Sequence, residues 1–274
     1  MPELAVKRAG EIAYREAEPK AAATGAPALC IHGWPQSSYM WRHLLPELAS
    51  TGRRALAPDM SGFGDSPPDP PGTFERHVEA LERFRREVEL DRVVLFVHDT
   101  GGLIGLRWAC DHPDAVAGLV VTNTGFFPDH EWAEIARTMR TPLQGEALMD
   151  SLSRKGFGTL MEEATDSFDE RALDEYWKAF TTEPGRRGML ELYRSFELDE
   201  LRPYQDKLAA LGVPALVLWG KQDDYVPVEY ASRFASKIPG SELVLLDGVR
   251  HFLFEDEPER CNREVIDFLA QAGI

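Results

Sequence analysis

The sequence predicts an α/β layered fold with a mostly parallel sheet, interrupted once by a helical block. Two patterns carry this expectation. Short apolar strand-like runs alternate with helical periodicity over most of the chain, and the alternation stops between about residues 128 and 208. A length of 274 residues suits one large α/β unit with an insertion.

The elements follow in order. Residues 4–18 read as a pair of edge strands around Gly10. The apolar run 28–32 ends abruptly in Gly33-Trp34-Pro35, a helix follows from about Ser38 to Ala49, and residues 54–58 form the next strand. Residues 61–68, rich in Gly, Ser, Asp and Pro, are loop. A charged amphipathic helix covers 75–88. The Val/Leu/Phe run at 92–97 has the character of a central parallel strand buried on both faces. A helix at 101–111 and a core strand at 118–122 come next. After Phe127 the apolar spacing is helical, broken at Pro142, Gly156, Gly158 and Gly185-Arg186-Arg187-Gly188. The sheet resumes with strands at 215–219 and 243–246, and a helix at 257–270 closes the chain.

Composition narrows the partners. Hydrophobic residues make up 43% and charged residues 28%, as in an ordinary globular protein with a substantial core. Acids outnumber bases 46 to 30, a formal net charge of −16, which repels phosphate backbones and anionic lipid. Nucleic acid and membrane surfaces are therefore poor partners, and a small neutral organic substrate fits better. Cys30, Cys110 and Cys261 lie far apart; Cys30 and Cys110 sit in apolar runs, so they read as buried thiols rather than disulfides or metal ligands. The opening Met1-Pro2-Glu3 starts no basic segment followed by an apolar stretch, and no apolar run reaches membrane-spanning length. The expectation is a cytoplasmic protein; the oligomeric state is left open.

Chemistry-bearing residues stand at the carboxyl ends of the predicted strands, the edge where open α/β sheets bind ligands. Asp99, in His98-Asp99-Thr100-Gly101-Gly102, sits where a strand turns sharply into a helix. This is the arrangement of a nucleophile elbow, G-x-S-x-G, with Asp in place of Ser and Val97 in place of the first glycine. Asp99 is equally readable as a helix N-cap. Asp223, with Asp224 as a rival, follows a core strand and reads as a triad acid or a solvated turn residue. His251 lies in the loop before the last helix, as a base or an incidental loop histidine. The turn His32-Gly33-Trp34-Pro35 either merely ends a strand or offers backbone N–H groups to a developing oxyanion. The order nucleophile, acid, histidine, each at a strand end, makes the four far more informative together than apart.

Along essentially its whole length the chain resembles the epoxide hydrolase and haloalkane dehalogenase branch of the α/β-hydrolase superfamily. The resemblance rests on His32-Gly33-Trp34-Pro35-Gln36-Ser37-Ser38-Tyr39-Met40-Trp41-Arg42, Asp59-Met60-Ser61-Gly62-Phe63-Gly64-Asp65-Ser66 and His98-Asp99-Thr100-Gly101-Gly102. It implies an α/β-hydrolase fold with a mostly parallel eight-stranded sheet flanked by helices. Residues 1–127 and 209–274 would form the main domain and 128–208 a helical cap. By the same resemblance Asp99 is the nucleophile, His251 the base, Asp223 the acid that orients it, and the N–H groups of Trp34 and Thr100 the oxyanion hole.

A carboxylate nucleophile, already ionised at neutral pH, can displace a leaving group from a saturated carbon and form an alkyl ester that water then cleaves. Substrate and water suffice, and no metal or organic cofactor is implied. The leaving group divides the branch. Its epoxide hydrolases use two cap tyrosines, of which one maps to Tyr193; between Tyr39 and Tyr176 the chain has no tyrosine to be the other. Its haloalkane dehalogenases use a Trp directly after the nucleophile, where this chain has Thr100, with an Asn or a second Trp. Trp34 and Trp132 remain as indole donors to a halide. The aromatic residue of His32-Gly33-Trp34-Pro35 tips the expectation to an epoxide hydrolase, with a haloalkane dehalogenase second and a non-catalytic receptor on the same fold as a remote third.

Overall fold

The computed structural model describes residues 4–165 and 167–274. The opening Met1-Pro2-Glu3, expected to start no basic segment followed by an apolar stretch, and Asp166 lie outside the described residues. The strands are β1 (Val6–Ala9), β2 (Ile12–Ala17), β3 (Ala28–Ile31), β4 (Ala55–Pro58), β5 (Val93–His98), β6 (Val116–Thr122), β7 (Ala215–Gly220) and β8 (Glu242–Leu246). They form one eight-stranded sheet in the order β1-β2-β4-β3-β5-β6-β7-β8. Strand β2 runs antiparallel to both its neighbours, β1 and β4, and every other neighbouring pair is parallel.

Every residue of β3, β4, β5, β6 and β7 is buried. This is the physical reason their sequences are continuous apolar runs: helices cover both faces, so no face can be polar. Helices α1 (Leu44–Ser50), α2 (Phe74–Glu87) and α3 (Thr100–Asp111) connect the first half. Between β6 and β7 the described residues hold α4 (Glu134–Arg140), α5 (Gln144–Ser151), α6 (Arg154–Ala164), α7 (Glu170–Trp177), α8 (Glu183–Ser195) and α9 (Tyr204–Ala210), and no strand. Helices α10 (Glu229–Lys237), α11 (Leu253–Asp256) and α12 (Pro258–Ala272) complete the chain. Among the described residues no helix is long and apolar enough to cross a membrane. All three cysteines are free and buried.

Three local expectations change. Of the first two strands only β1 is an edge; β2 lies inside the sheet, paired to both β1 and β4. The helix expected over 38–49 is a 3-10 turn, Ser38–Trp41, followed by α1. Pro46 explains the break: it lacks an N–H and clashes with the preceding turn, so a helix can hold it only near its start. The closing helix likewise restarts at Pro258 after α11, with the proline at its first position.

Candidate active site

Strands β3 and β5 are neighbours, but β3 leads to β4 on one side and β5 to β6 on the other. A crevice opens at the carboxyl ends of strands where the connections diverge in this way. Asp99 follows β5 at this point with φ 48° and ψ −127°. A non-glycine residue there is strained, and the surroundings hold it in place. The Asp99 carbonyl accepts from Gly102 N at 2.8 Å and from Thr124 Oγ1 at 2.6 Å. Two glycines give it room. A Cβ on Gly33 would sit 2.4 Å from Asp99 Cβ, and one on Gly101 would sit 2.3 Å from the His32 carbonyl oxygen.

Four loops converge on the crevice. The Trp34 N–H donates to Asp99 Oδ1 at 2.8 Å and to Thr100 Oγ1 at 2.9 Å. His251 Nε2 lies 3.6 Å from Asp99 Oδ2, and its Nδ1 donates to Asp223 Oδ2 at 2.8 Å. Asp223 Oδ1 accepts from the N–H groups of Tyr225 (2.7 Å) and Val226 (3.0 Å), while Oδ2 also accepts from Asn123 Nδ2 at 2.6 Å. Asp224 faces outward, 3.9 Å from Arg250. Asp223 is thus the acid that reaches the imidazole. The Asp99 side chain keeps 18% of its surface, so a ligand can reach it, whereas Asp223 has none.

Electrostatics follow from this packing. Burial pushes His251 towards neutrality, but the charges of Asp223 and Asp99 outweigh it and raise its pKa to about 10. Burial pushes the Asp99 carboxyl up; attraction to His251 and the Thr100 backbone N–H together hold it below its ordinary value. His98, packed 5.0 Å from the His251 ring, is brought down to about 3 by burial and by its neighbour's charge. Thr122 Oγ1 spends its one proton on Val97 O at 2.9 Å, so it accepts from His98 Nδ1 at 3.1 Å. His98 is therefore neutral with its proton on Nδ1.

In front of Asp99 lies a cavity whose wall includes Trp34, His130, Trp132, Tyr193 and Phe252. Trp34 carries a buried indole N–H with no hydrogen-bond partner among the described residues. Tyr193 is buried, and burial together with the charge of Asp99 raises its phenol well above the ordinary range. Trp132 is half-buried and packs 5.9 Å from the Tyr193 ring and 5.2 Å from His130. Tyr176 stands elsewhere, donating to Glu255 Oε1 at 2.5 Å.

Sequence reasoning missed two residues here. Asn123 follows β6, and a polar residue at the carboxyl end of a core strand was a readable signal. His130 lies at the start of the helical block, where the sequence offers Trp132 as an indole donor and no tyrosine for an epoxide. Burial brings its imidazole down to about 4, so it is neutral.

Residues 27–258 match the family model described as the alpha/beta hydrolase fold. The chain belongs to the α/β-hydrolase fold family. It is 44% identical to a haloalkane dehalogenase of Mycobacterium marinum, a match spanning 42% of this chain and only 42% of that relative. To haloalkane dehalogenase 2 of Mycobacterium bovis it is 30% identical over 89% of this α/β-hydrolase and 88% of the relative. The crystal structure of haloalkane dehalogenase DbeA from Bradyrhizobium elkani is similar throughout, with a TM-score of 0.84 at 25% identity, covering 100% of this chain and 97% of that one. The chain is a hydrolase of the branch that holds haloalkane dehalogenases and epoxide hydrolases.

Proposed function

We propose that this hydrolase is a haloalkane dehalogenase, converting a small neutral haloalkane and water into an alcohol, a halide ion and a proton. Asp99 Oδ2 attacks the halogen-bearing carbon, a C–O bond forms, and the halide leaves with the electrons of the carbon–halogen bond. Asp99 Oδ1, held by the Trp34 N–H at 2.8 Å, becomes the carbonyl oxygen of the ester. His251 Nε2 then takes a proton from water, and the hydroxide adds to Asp99 Cγ. The N–H groups of Trp34 and Thr100 hold the oxyanion. Collapse expels the alkoxide, which receives the proton from His251, and Asp223 stabilises the imidazolium throughout.

The raised basicity of His251 fits this sequence. Beside a carboxylate it holds a proton; once Asp99 is a neutral ester, one of the two anions that raise its pKa is gone and the Nε2 proton passes to solvent, the proton of the overall reaction. Alkylation thereby turns His251 into a base when a base is needed. Residues 128–208 serve as a cap over the main domain of 1–127 and 209–274, supplying His130, Trp132 and Tyr193 to the cavity wall.

The leaving group is where the reading departs from the sequence expectation, which put an epoxide first. The observation that carries a halide is the buried, unpartnered indole N–H of Trp34 in the wall that also holds Asp99. A halide needs such donors and no proton, whereas an opening epoxide needs a proton source. The names of the similar proteins support the same reading. One observation favours the epoxide as second reading: Tyr193 shares the wall and feels the charge of Asp99.

The test treats wild type and His251→Gln with primary alkyl bromides and small epoxides, measuring halide, diol and intact mass. The expected result is halide release by wild type and an alkyl adduct on Asp99 in the variant. Diol without halide supports the epoxide instead. Neither product, with no adduct, overturns the mechanism.

A further inference from the structure

We infer that Asn123 is a positioning residue for the Asp223–His251 pair: its amide N–H pins the carboxylate oxygen that accepts the imidazole N–H, and its amide oxygen ties that arrangement to the end of β7. The inference rests on the reading of Asp99, His251 and Asp223 given above.

Asn123 is fully buried and has φ 35°. Asparagine is one of the few side-chain-bearing residues that tolerates the left-handed region. Its three polar groups each meet a different part of the site. The backbone carbonyl accepts from the Asp99 N–H at 3.2 Å. Oδ1 accepts from Gly220 N at 3.1 Å, the last residue of β7. Nδ2 donates to Asp223 Oδ2 at 2.6 Å and lies 3.5 Å from Gly220 O. One residue at the end of β6 therefore links the turn that carries the nucleophile with the turn that carries the acid.

The choice of oxygen is what gives this contact a function. Oδ2 of Asp223 also accepts from His251 Nδ1 at 2.8 Å, and Oδ1 is occupied by the N–H groups of Tyr225 and Val226. A carboxylate has about four acceptor positions, and here four donors fill them. The group cannot rotate, so the imidazole is aimed by a fixed partner. The Asn123 N–H also draws electron density from Oδ2, which tempers its pull on the imidazole proton. Only an amide supplies a donor for Asp223 and an acceptor for Gly220 in this shape. Leucine has neither, and an ionised aspartate has only acceptors.

Asn123→Ala and Asn123→Asp separate positioning from packing. Ester formation and ester breakdown on Asp99 are timed by quenched flow and intact-mass measurement from pH 5 to 9, using a primary alkyl bromide. In Asn123→Ala, ester should form at close to the wild-type rate and break down about 10–100-fold more slowly, so that the adduct accumulates. Asn123→Asp sets two carboxyl groups side by side, of which one must hold a proton at low pH. Its breakdown rate, as a ratio to wild type, should be near unity at acid pH and fall as that shared proton is lost. Breakdown at the wild-type rate in both variants overturns the inference, as does a loss in Asn123→Asp that does not change with pH. If Asn123→Ala fails to fold, the pH course of the near-isosteric Asn123→Asp decides alone. Absence of any adduct in His251→Gln strikes the underlying mechanism instead, and so is distinguishable.

Discussion

His251 Nε2 stands 3.6 Å from Asp99 Oδ2, a separation that allows strong attraction but is too long for a hydrogen bond. The same ring is bonded to Asp223 at 2.8 Å on its other side. One imidazole is thus shared between the carboxylate proposed to be alkylated and one that keeps its charge.

That relationship predicts a titration shift. Asp99→Asn removes one of two anions raising the His251 pKa, so its midpoint should move down from about 10. Imidazole resonances followed by NMR check this. A raised folded-state pKa stabilises fully below the unfolded value near 6.5, and the contribution is lost as pH rises towards 10. Wild type should therefore lose more stability than Asp99→Asn between pH 7 and 10. Equal losses in urea titrations would contradict the assignment.

Trp34 is predicted to act through two separate groups. Trp34→Phe keeps the backbone N–H that meets Asp99 Oδ1 and deletes the indole N–H. Halide release should slow about 10–100-fold, the loss of one donor to developing charge, with ester breakdown nearly unchanged. Tyr193→Phe should alter halide release only a few-fold and depress any opening of epoxides much more. The reverse ranking in steady-state assays would return the epoxide to first place.

Close approach at the elbow makes Gly33 intolerant of a side chain. In Gly33→Ala the new Cβ would meet Asp99 Cβ at 2.4 Å, and both belong to constrained backbone. Overpacking of this kind costs about 1–3 kcal/mol. Displacement of Asp99 from the Trp34 N–H should lower kcat at least tenfold while the protein still folds. Circular dichroism and turnover measured together provide the check.

The helical block is fastened to the sheet by buried charge. Arg15 on β2 and Glu175 on α7 pair at 2.9 Å with side chains only 2% and 3% exposed, and Arg15 also donates to Ser38 Oγ at 2.6 Å. Glu175→Leu leaves the arginine buried without its partner and should cost about 3–5 kcal/mol. Adding Arg15→Met should recover much of that loss, because two apolar groups can replace a buried ion pair. Urea unfolding of the single and double variants measures both.

Much of the fold was legible because its signals are local. Continuous apolar runs marked β3, β5, β6 and β7, since a strand covered on both faces has no polar side to show. Asp99 and Asp223 were legible because each follows such a run, and His251 because it comes after the last strand, β8, in the same chain order. The Ser38–Ala49 helix was misjudged because its apolar spacing outweighed Pro46. Asn123 shows in the sequence only as a polar residue at a strand end, and its amide gains a role only once its partners are in view. Nothing in the neighbours of His130 along the chain shows that it shares a cavity with Asp99.

What the sequence alone determined is a set of strand ends carrying the Gly33 turn, Asp99, Asp223 and His251 in chain order, because hydrophobic period and turn chemistry act over a few residues. The tertiary structure decided which groups meet: that Asn123 and His251 share one oxygen of Asp223, and that Trp34, His130 and Tyr193 border one cavity. Those meetings depend on the strand order and on how the helical block packs over it, and pairing between residues far apart in the chain leaves no local trace.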